Sequence, residues 1–258
     1  MPPLELLALF GGCVVIGGVS ALLGLGGGLF LVPALTFALG LEIREAAGVS
    51  LVAALATSAA GSIALDKARL ADLPIVSNLE LAAALGGITG AVLAAALAPQ
   101  VIAGAFAVVM TYTALRMVGR TRQGAREEAG RDAYPVRYPL GLLGCFVAGS
   151  CSGMLGIGGG PIKVPVQSEL MRVPLRVALA NSNLMVGMTA GASAALYYAN
   201  GFIDGALVAP SALGIAAGAY AGGRLAPRID PQPLRYAFSG VLVLVAVRMV
   251  WKALAPDS

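Results

Sequence analysis

Histidine is absent from the 258 residues, which removes histidine-based nucleophile triads, histidine-ligated metals and imidazole proton relays. Cysteine is scarce too. Cys13, Cys145 and Cys151 show no CxxC spacing, which argues against a zinc or iron–sulfur site, and all three read as small core residues in apolar runs. Charge is the third deficit: Asp, Glu, Lys and Arg make up 12% of the chain against 58% hydrophobic residues. An ordinary soluble domain carries about a quarter charged residues, so this chain cannot cover a water-facing surface. The excess of basic over acidic residues, 17 to 13, does not point to nucleic acid. The basic residues cluster beside apolar runs, where the positive-inside rule places them.

What the chain has in abundance is uncharged length. No Asp, Glu, Lys or Arg occurs from Leu6 to Leu41, Ala46 to Leu65, Leu81 to Leu115, Tyr138 to Ile162, Val177 to Ile203 or Gly205 to Gly223. A spanning helix needs about 20 mostly apolar residues, and most of these runs supply them. The mean hydropathy of +0.86 agrees. An all-α polytopic membrane protein follows. Phe10-Gly11-Gly12-Cys13 faintly resembles a lipoprotein cleavage site, but no basic segment precedes it, so neither that processing nor a removable signal peptide is expected.

The chain also repeats itself. Shifted by 132 residues it aligns without a gap, and from Val15 to Val118 there are 32 identities in 104 positions. Ser20, Leu23, Gly24, Gly26, Gly27, Gly28, Val32 and Pro33 fall on Ser152, Leu155, Gly156, Gly158, Gly159, Gly160, Val164 and Pro165. Arg44, Ser50, Thr57, Asp72, Gly86 and Gly90 fall on Arg176, Ser182, Thr189, Asp204, Gly218 and Gly222. Shared apolar composition explains some of this, but not the matched charges, prolines and triple glycines. The halves are 1–118 and 139–258, joined by a charged linker, 119–138. Each predicts a glycine-broken hairpin followed by three transmembrane helices. With the linker cytoplasmic and each broken stretch returning to its own side, 13 Lys/Arg lie inside and three outside, Lys163 remaining in the membrane. Parallel halves give ten and six, so two inverted repeats are expected.

Three consecutive glycines do not sustain a helix, so Gly26-Gly27-Gly28 and Gly158-Gly159-Gly160 free backbone polar groups at membrane depth. That is tolerated only where the backbone lines a cavity or is buried in protein. Ser20 and Ser152 precede the two breaks. Lys163 follows the second, with Leu31 as its mate in the first half. An intramembrane lysine costs roughly 2.5–3.5 kcal/mol on insertion scales and marks a functional site; the alternative is a lysine that snorkels or pairs with Glu169. Gln167 and Glu169 have the mates Leu35 and Phe37, and Asn181 and Asn183, flanking Ser182, have Val49 and Leu51. The second half is therefore the polar one. Its groups, with the glycine breaks, suit a small anion. Asp72 and Asp204 read as helix-start residues, and Tyr197, Tyr198 and Trp251 as interfacial anchors.

Gly24-Leu-Gly-Gly-Gly28 followed by Pro33, Gly156-Ile-Gly-Gly-Gly160-Pro161 followed by Val164-Pro165, and Arg176 to Ala180 leading into Asn181-Ser182 resemble the sulfite exporter TauE/SafE family over nearly the whole chain. The resemblance implies export of sulfite or a small organosulfonate such as sulfoacetate across the bacterial inner (cytoplasmic) membrane. An anion channel, or an importer of a related oxyanion such as thiosulfate, is the alternative. The expected substrate-binding set is Lys163, Asn181, Ser182, Asn183, Ser20, Ser152, Gly26, Gly27, Gly28, Gly158, Gly159, Gly160 and Gln167. Catalytic residues, cofactors and metals are not expected. The expected partners are a small anion, the lipid bilayer and, as an open option, a second copy in a homodimer.

Overall fold

The computed structural model describes residues 3–23, 27–64, 71–120, 138–225 and 231–254. The break residues Gly24 to Gly26 and most of the charged linker lie outside the described residues. Within them the chain is all helical: α1 Pro3–Leu23, α2 Gly28–Ala38, α3 Ile43–Ala64, α4 Leu73–Ala96, α5 Pro99–Arg120, α6 Tyr138–Leu155, α7 Gly160–Pro165, α8 Leu175–Ala199, α9 Gly205–Leu225 and α10 Pro231–Leu254. A π-helical turn, Val166–Leu170, follows α7. Each half thus yields a broken pair and then three helices. Six helices (α1, α3, α4, α5, α6 and α9) are long and apolar enough to cross a membrane. The 25-residue α8 falls outside that set because Arg176, Asn181, Ser182 and Asn183 dilute its apolar character.

Helix starts follow local chemistry. Asp72 caps α4 by accepting from the Ile75 amide at 3.3 Å, with Pro74 in the first turn. Asp204 accepts from the Ala206 amide at 2.9 Å at the start of α9. Both are the helix-start residues expected.

Packing depends on small residues. The largest interfaces join α4 to α6 and α1 to α9, one helix from each half in both cases. On α9, Gly214, Gly218 and Gly222 lie against the backbone of Phe10, Val14 and Gly18 on α1, so near that a Cβ would overlap it. The order of these contacts shows that α1 and α9 run in the same direction. Gly86 and Gly90 of α4 likewise meet Phe146 and Ser150 of α6, while Gly149 and Gly153 of α6 meet Ala83 and Gly87; these two are also parallel. Without a hydrophobic force between helices in lipid, such close approach supplies the association energy through dispersion contacts. α3 and α8 cross at the centre in opposite directions, with Gly61 against Asn183 and Ser58 against Gly187. Gly48, early in α3, meets Phe202 and Ile203 just before α9, so α3 and α9 run the same way. The faces left outside carry large apolar side chains, among them Leu7, Val15, Leu81, Val108, Leu143, Leu244 and Val247. Such a belt is stable against lipid and not against water.

The two glycine breaks meet in the middle. A Cβ on Gly28 would run into the carbonyl of Gly156 and the Ser50 hydroxyl, and one on Gly156 into the Ala47 backbone. Gly156, Gly158 and Gly159 all have φ between 73° and 75°, a region glycine enters without steric cost. Ser50 Oγ lies 2.7 Å from Gly156 O and 3.3 Å from Gly28 O, so one hydroxyl ties both breaks together.

Candidate functional site

Two polar centres flank α7 and α8. The first is a cavity of about 40 Å³ lined in part by Ser20, Thr57, Ser58, Gly160, Ser182 and Asn183. One water needs roughly 10–15 Å³, so a small oxyanion is within its range. Its remaining lining is Ala21, Gly61, Val164, Leu179, Val186, Ala219 and Gly223. No charged residue is among them. The lining comes from α1, α3 and α9 on one side and α7 and α8 on the other. Ser20 is fully buried, and its Oγ has no hydrogen-bond partner, although buried hydroxyls are ordinarily paired. Thr57 Oγ1 donates to Ala53 O at 2.7 Å and Ser58 Oγ to Asn183 O at 2.6 Å. Asn183 Nδ2 donates to Ser58 O at 3.0 Å and to Ser62 Oγ at 2.9 Å. With both amide hydrogens engaged, Asn183 shapes the wall and Ser20 and Ser182 remain as the hydroxyl donors.

The second centre surrounds Lys163, which is fully buried. Its Nζ donates to Met185 O at 3.0 Å and Thr189 Oγ1 at 2.6 Å, and lies 3.8 Å from Glu80 Oε2. Thr189 Oγ1 in turn donates to Glu80 Oε1 at 2.8 Å. Gln167 reaches the Met185 sulfur from its Nε2, at 3.4 Å, and accepts from Asn181 Nδ2 at 3.0 Å. Asn181 Oδ1 accepts from the Asp72 amide at 2.8 Å. A chain of polar contacts therefore runs from the start of α4 through α8 to the π-helical turn, and through Met185 it adjoins the Lys163–Thr189–Glu80 bonds that lead from α7 back to α4. Ile75, Val76, Leu79, Ala83, Cys145, Val166 and Met185 pack apolar surface around it.

The expected set is thus divided. Ser20, Gly160, Ser182 and Asn183 share the cavity; Lys163, Gln167 and Asn181 share the polar chain. Ser152 is buried with an unpartnered Oγ, but it sits under Gly159, outside the cavity lining. Gly27 and Gly28 provide close approach, to Ile215 and Thr57 and to Gly156 respectively, and Gly158 packs on Val186. Gly26 lies outside the described residues.

One sequence expectation needs correction, and one alternative is set aside. The alternative paired Lys163 with Glu169, and that pair does not form. Glu169 makes a two-pronged ion pair with Arg116 at the end of α5, its Oε2 accepting from Nη2 at 2.7 Å, and the lysine's acidic neighbour is Glu80. Tyr197 is not an interfacial anchor: it is 1% exposed, and its hydroxyl donates to Met154 O at 3.1 Å. Its neighbour Tyr198 is 75% exposed and Trp251 68%.

Sequence reasoning missed Glu80, Thr189, Thr57, Ser58 and the bridging Ser50. Glu80 stands at the very edge of an uncharged run, where it reads as a boundary residue. Its position eight residues into a helix that starts at Leu73 was the signal available, since two helical turns carry it below the helix end.

Known proteins supply an independent comparison. A family model described as "Sulfite exporter TauE/SafE" matches residues 9–249. A Bacillus subtilis protein described as a probable membrane transporter protein, YunE, is 23% identical over 93% of this chain and 96% of its own length. Probable membrane transporter proteins named MamO, from Magnetospirillum gryphiswaldense and Paramagnetospirillum magneticum, are 31% and 28% identical. Those matches cover 43% and 49% of this chain and only 18% and 21% of the MamO proteins. No solved structure matches.

Proposed function

The chain belongs to the sulfite exporter TauE/SafE family of membrane transporters, and from that premise we propose that it exports a small sulfur-containing anion, sulfite or an organosulfonate such as sulfoacetate, across the bacterial inner membrane. The observation that carries this reading is the cavity where the halves meet, whose lining among the described residues is uncharged and includes the unpartnered Ser20 hydroxyl and Ser182. An oxyanion spreads its charge over several acceptor oxygens, which hydroxyl donors satisfy without the cost of desolvating a second full charge. Lys163 supplies the positive field from behind α7, next in sequence to the cavity residue Val164, and not as a direct ligand. Export needs no coupled ion in principle. An interior negative by 100 mV drives each negative charge outward by about 2.3 kcal/mol.

The halves are inverted repeats in this reading. Helix directions support this: α8 runs opposite to its mate α3, α1 runs with α9, and α6 runs with α4. The 13-to-3 division of basic residues supports the same orientation. Single cysteines in the linker and near residue 256, in a variant lacking the native three, should label from opposite membrane faces; labelling from one face refutes the inversion. For the ligand, thermal unfolding of the purified protein is measured with sulfite, sulfate, thiosulfate, taurine and sulfoacetate. An anion at 100 times its dissociation constant stabilises by about 2.7 kcal/mol. No shift with any sulfur oxyanion contradicts the proposal.

A further inference from the structure

Glu80 has no part in the anion reading, yet it is buried in the bundle with a half-satisfied carboxylate. Oε1 accepts from Thr189, while Oε2 has no hydrogen-bond partner and faces Lys163 Nζ at 3.8 Å. The ammonium spends hydrogens on Met185 O and Thr189 Oγ1 instead. Two opposite charges thus confront one another, linked among the described residues by the hydrogen bonds of one threonine. The arrangement occurs once: the mates of Lys163 and Glu80 are Leu31 and Ala212, and the mate of Thr189 is Thr57, which lines the cavity. Among the described residues the cavity lining carries no charge.

We propose that Glu80 is the proton site of this transporter, and that one proton binds there for each anion taken into the cavity. While Glu80 is ionised it cancels the charge of Lys163, and an anion entering beside α7 meets no net cation. A proton from solvent binding at Oε2, which has an open acceptor position, neutralises the carboxylate and leaves the ammonium uncompensated on α7, the helix whose Gly160 and Val164 line the cavity. No other bond forms or breaks. Other charged or titratable groups facing Glu80 from its packed neighbours are few among the described residues. The Cys145 thiol on α6 feels both Glu80 and Lys163, Lys163 comes from α7, and α8 contributes the uncharged Thr189. Anion and proton therefore raise each other's affinity, as linkage requires. A dianion leaves with one net negative charge, and the membrane potential still drives it outward.

The inference rests on the anion reading of the cavity, and calorimetry separates the two. Thiosulfate and sulfoacetate, which hold no group that titrates near neutral pH, are titrated into the purified protein at several pH values, in buffers of differing ionisation enthalpy. The wild type should take up close to one proton per anion, with affinity rising up to about tenfold for each unit of pH lowered across the range in which Glu80 titrates. Glu80→Gln should bind with pH-independent affinity and take up none. Anion binding by the wild type without proton uptake overturns the inference and leaves the cavity reading standing, so the decision does not need a folded variant. Proton uptake that persists in Glu80→Gln overturns the assignment to Glu80. No binding of either anion overturns the cavity reading and the inference with it.

Discussion

Replacing Lys163 by methionine keeps the length of the side chain and removes its charge, leaving Glu80 without a cation. At 3.8 Å two unit charges attract by about 4 kcal/mol at an effective dielectric constant near 20. Truncating one partner of a buried pair typically costs about 3–5 kcal/mol, because the survivor stays buried and uncompensated. Lys163→Met alone should therefore be strongly destabilising. Glu80→Gln added to it should recover most of the loss, since an amide can still accept from Thr189 and an apolar neighbour at 163 requires no counter-charge. Glu169→Gln added instead should recover nothing: its pair with Arg116 is about two-fifths exposed, a setting in which ion pairs contribute about 0–1 kcal/mol. Denaturant unfolding in detergent of the wild type, the three single variants and the two doubles gives the coupling energies directly. Rescue by Glu169→Gln and not by Glu80→Gln would refute the pairing and with it the polar chain around α7.

The glycine seams should be intolerant where backbone abuts backbone. Gly218→Ala drives a Cβ inside 3.0 Å of the Val14 backbone and should destabilise by about 1–3 kcal/mol, whereas Gly104→Ala, with nothing within 4 Å, should gain up to about 1 kcal/mol of helix propensity; equal thermal stabilities of the two would contradict the packing account. Ser20→Ala removes a hydroxyl with no partner in the fold, so unfolding should be nearly unchanged. The same variant should weaken anion binding by about 1.5–3 kcal/mol, and unchanged affinity in a titration would place the anion elsewhere. Ser50→Ala cuts the hydroxyl that joins Gly28 O to Gly156 O and should cost about 1–3 kcal/mol by leaving the Gly156 carbonyl without its donor, read from the unfolding midpoint.

Much of the architecture was legible because membrane helices advertise themselves by length and lack of charge, and because the duplication leaves one register in which prolines, charges and triple glycines agree. The broken stretches were legible for the same reason. What the glycines do was not: sequence offers freed backbone as a ligand, whereas Gly28 and Gly156 are pressed together for want of any room for a Cβ. Lys163 stood out as an isolated charge, but its neighbour Glu80 belongs to another helix of the other half, and no periodicity within one half relates them. Tyr197 and Tyr198 are adjacent and chemically identical. Only the direction each faces on α8, set by packing against Phe202, sends one inward and the other to lipid. The division of the polar residues between a cavity and a hydrogen-bonded chain likewise depends on which side of α7 and α8 each residue occupies.

The most direct test of the transport claim is efflux from proteoliposomes loaded with radiolabelled sulfite or sulfoacetate and clamped inside-negative with a potassium diffusion potential. The account predicts saturable efflux that accelerates with the clamp, shows counterflow against unlabelled anion outside, and is lost in Ser20→Leu, which fills the cavity. Efflux of neither anion above that of empty liposomes, or undiminished efflux through Ser20→Leu, would contradict it.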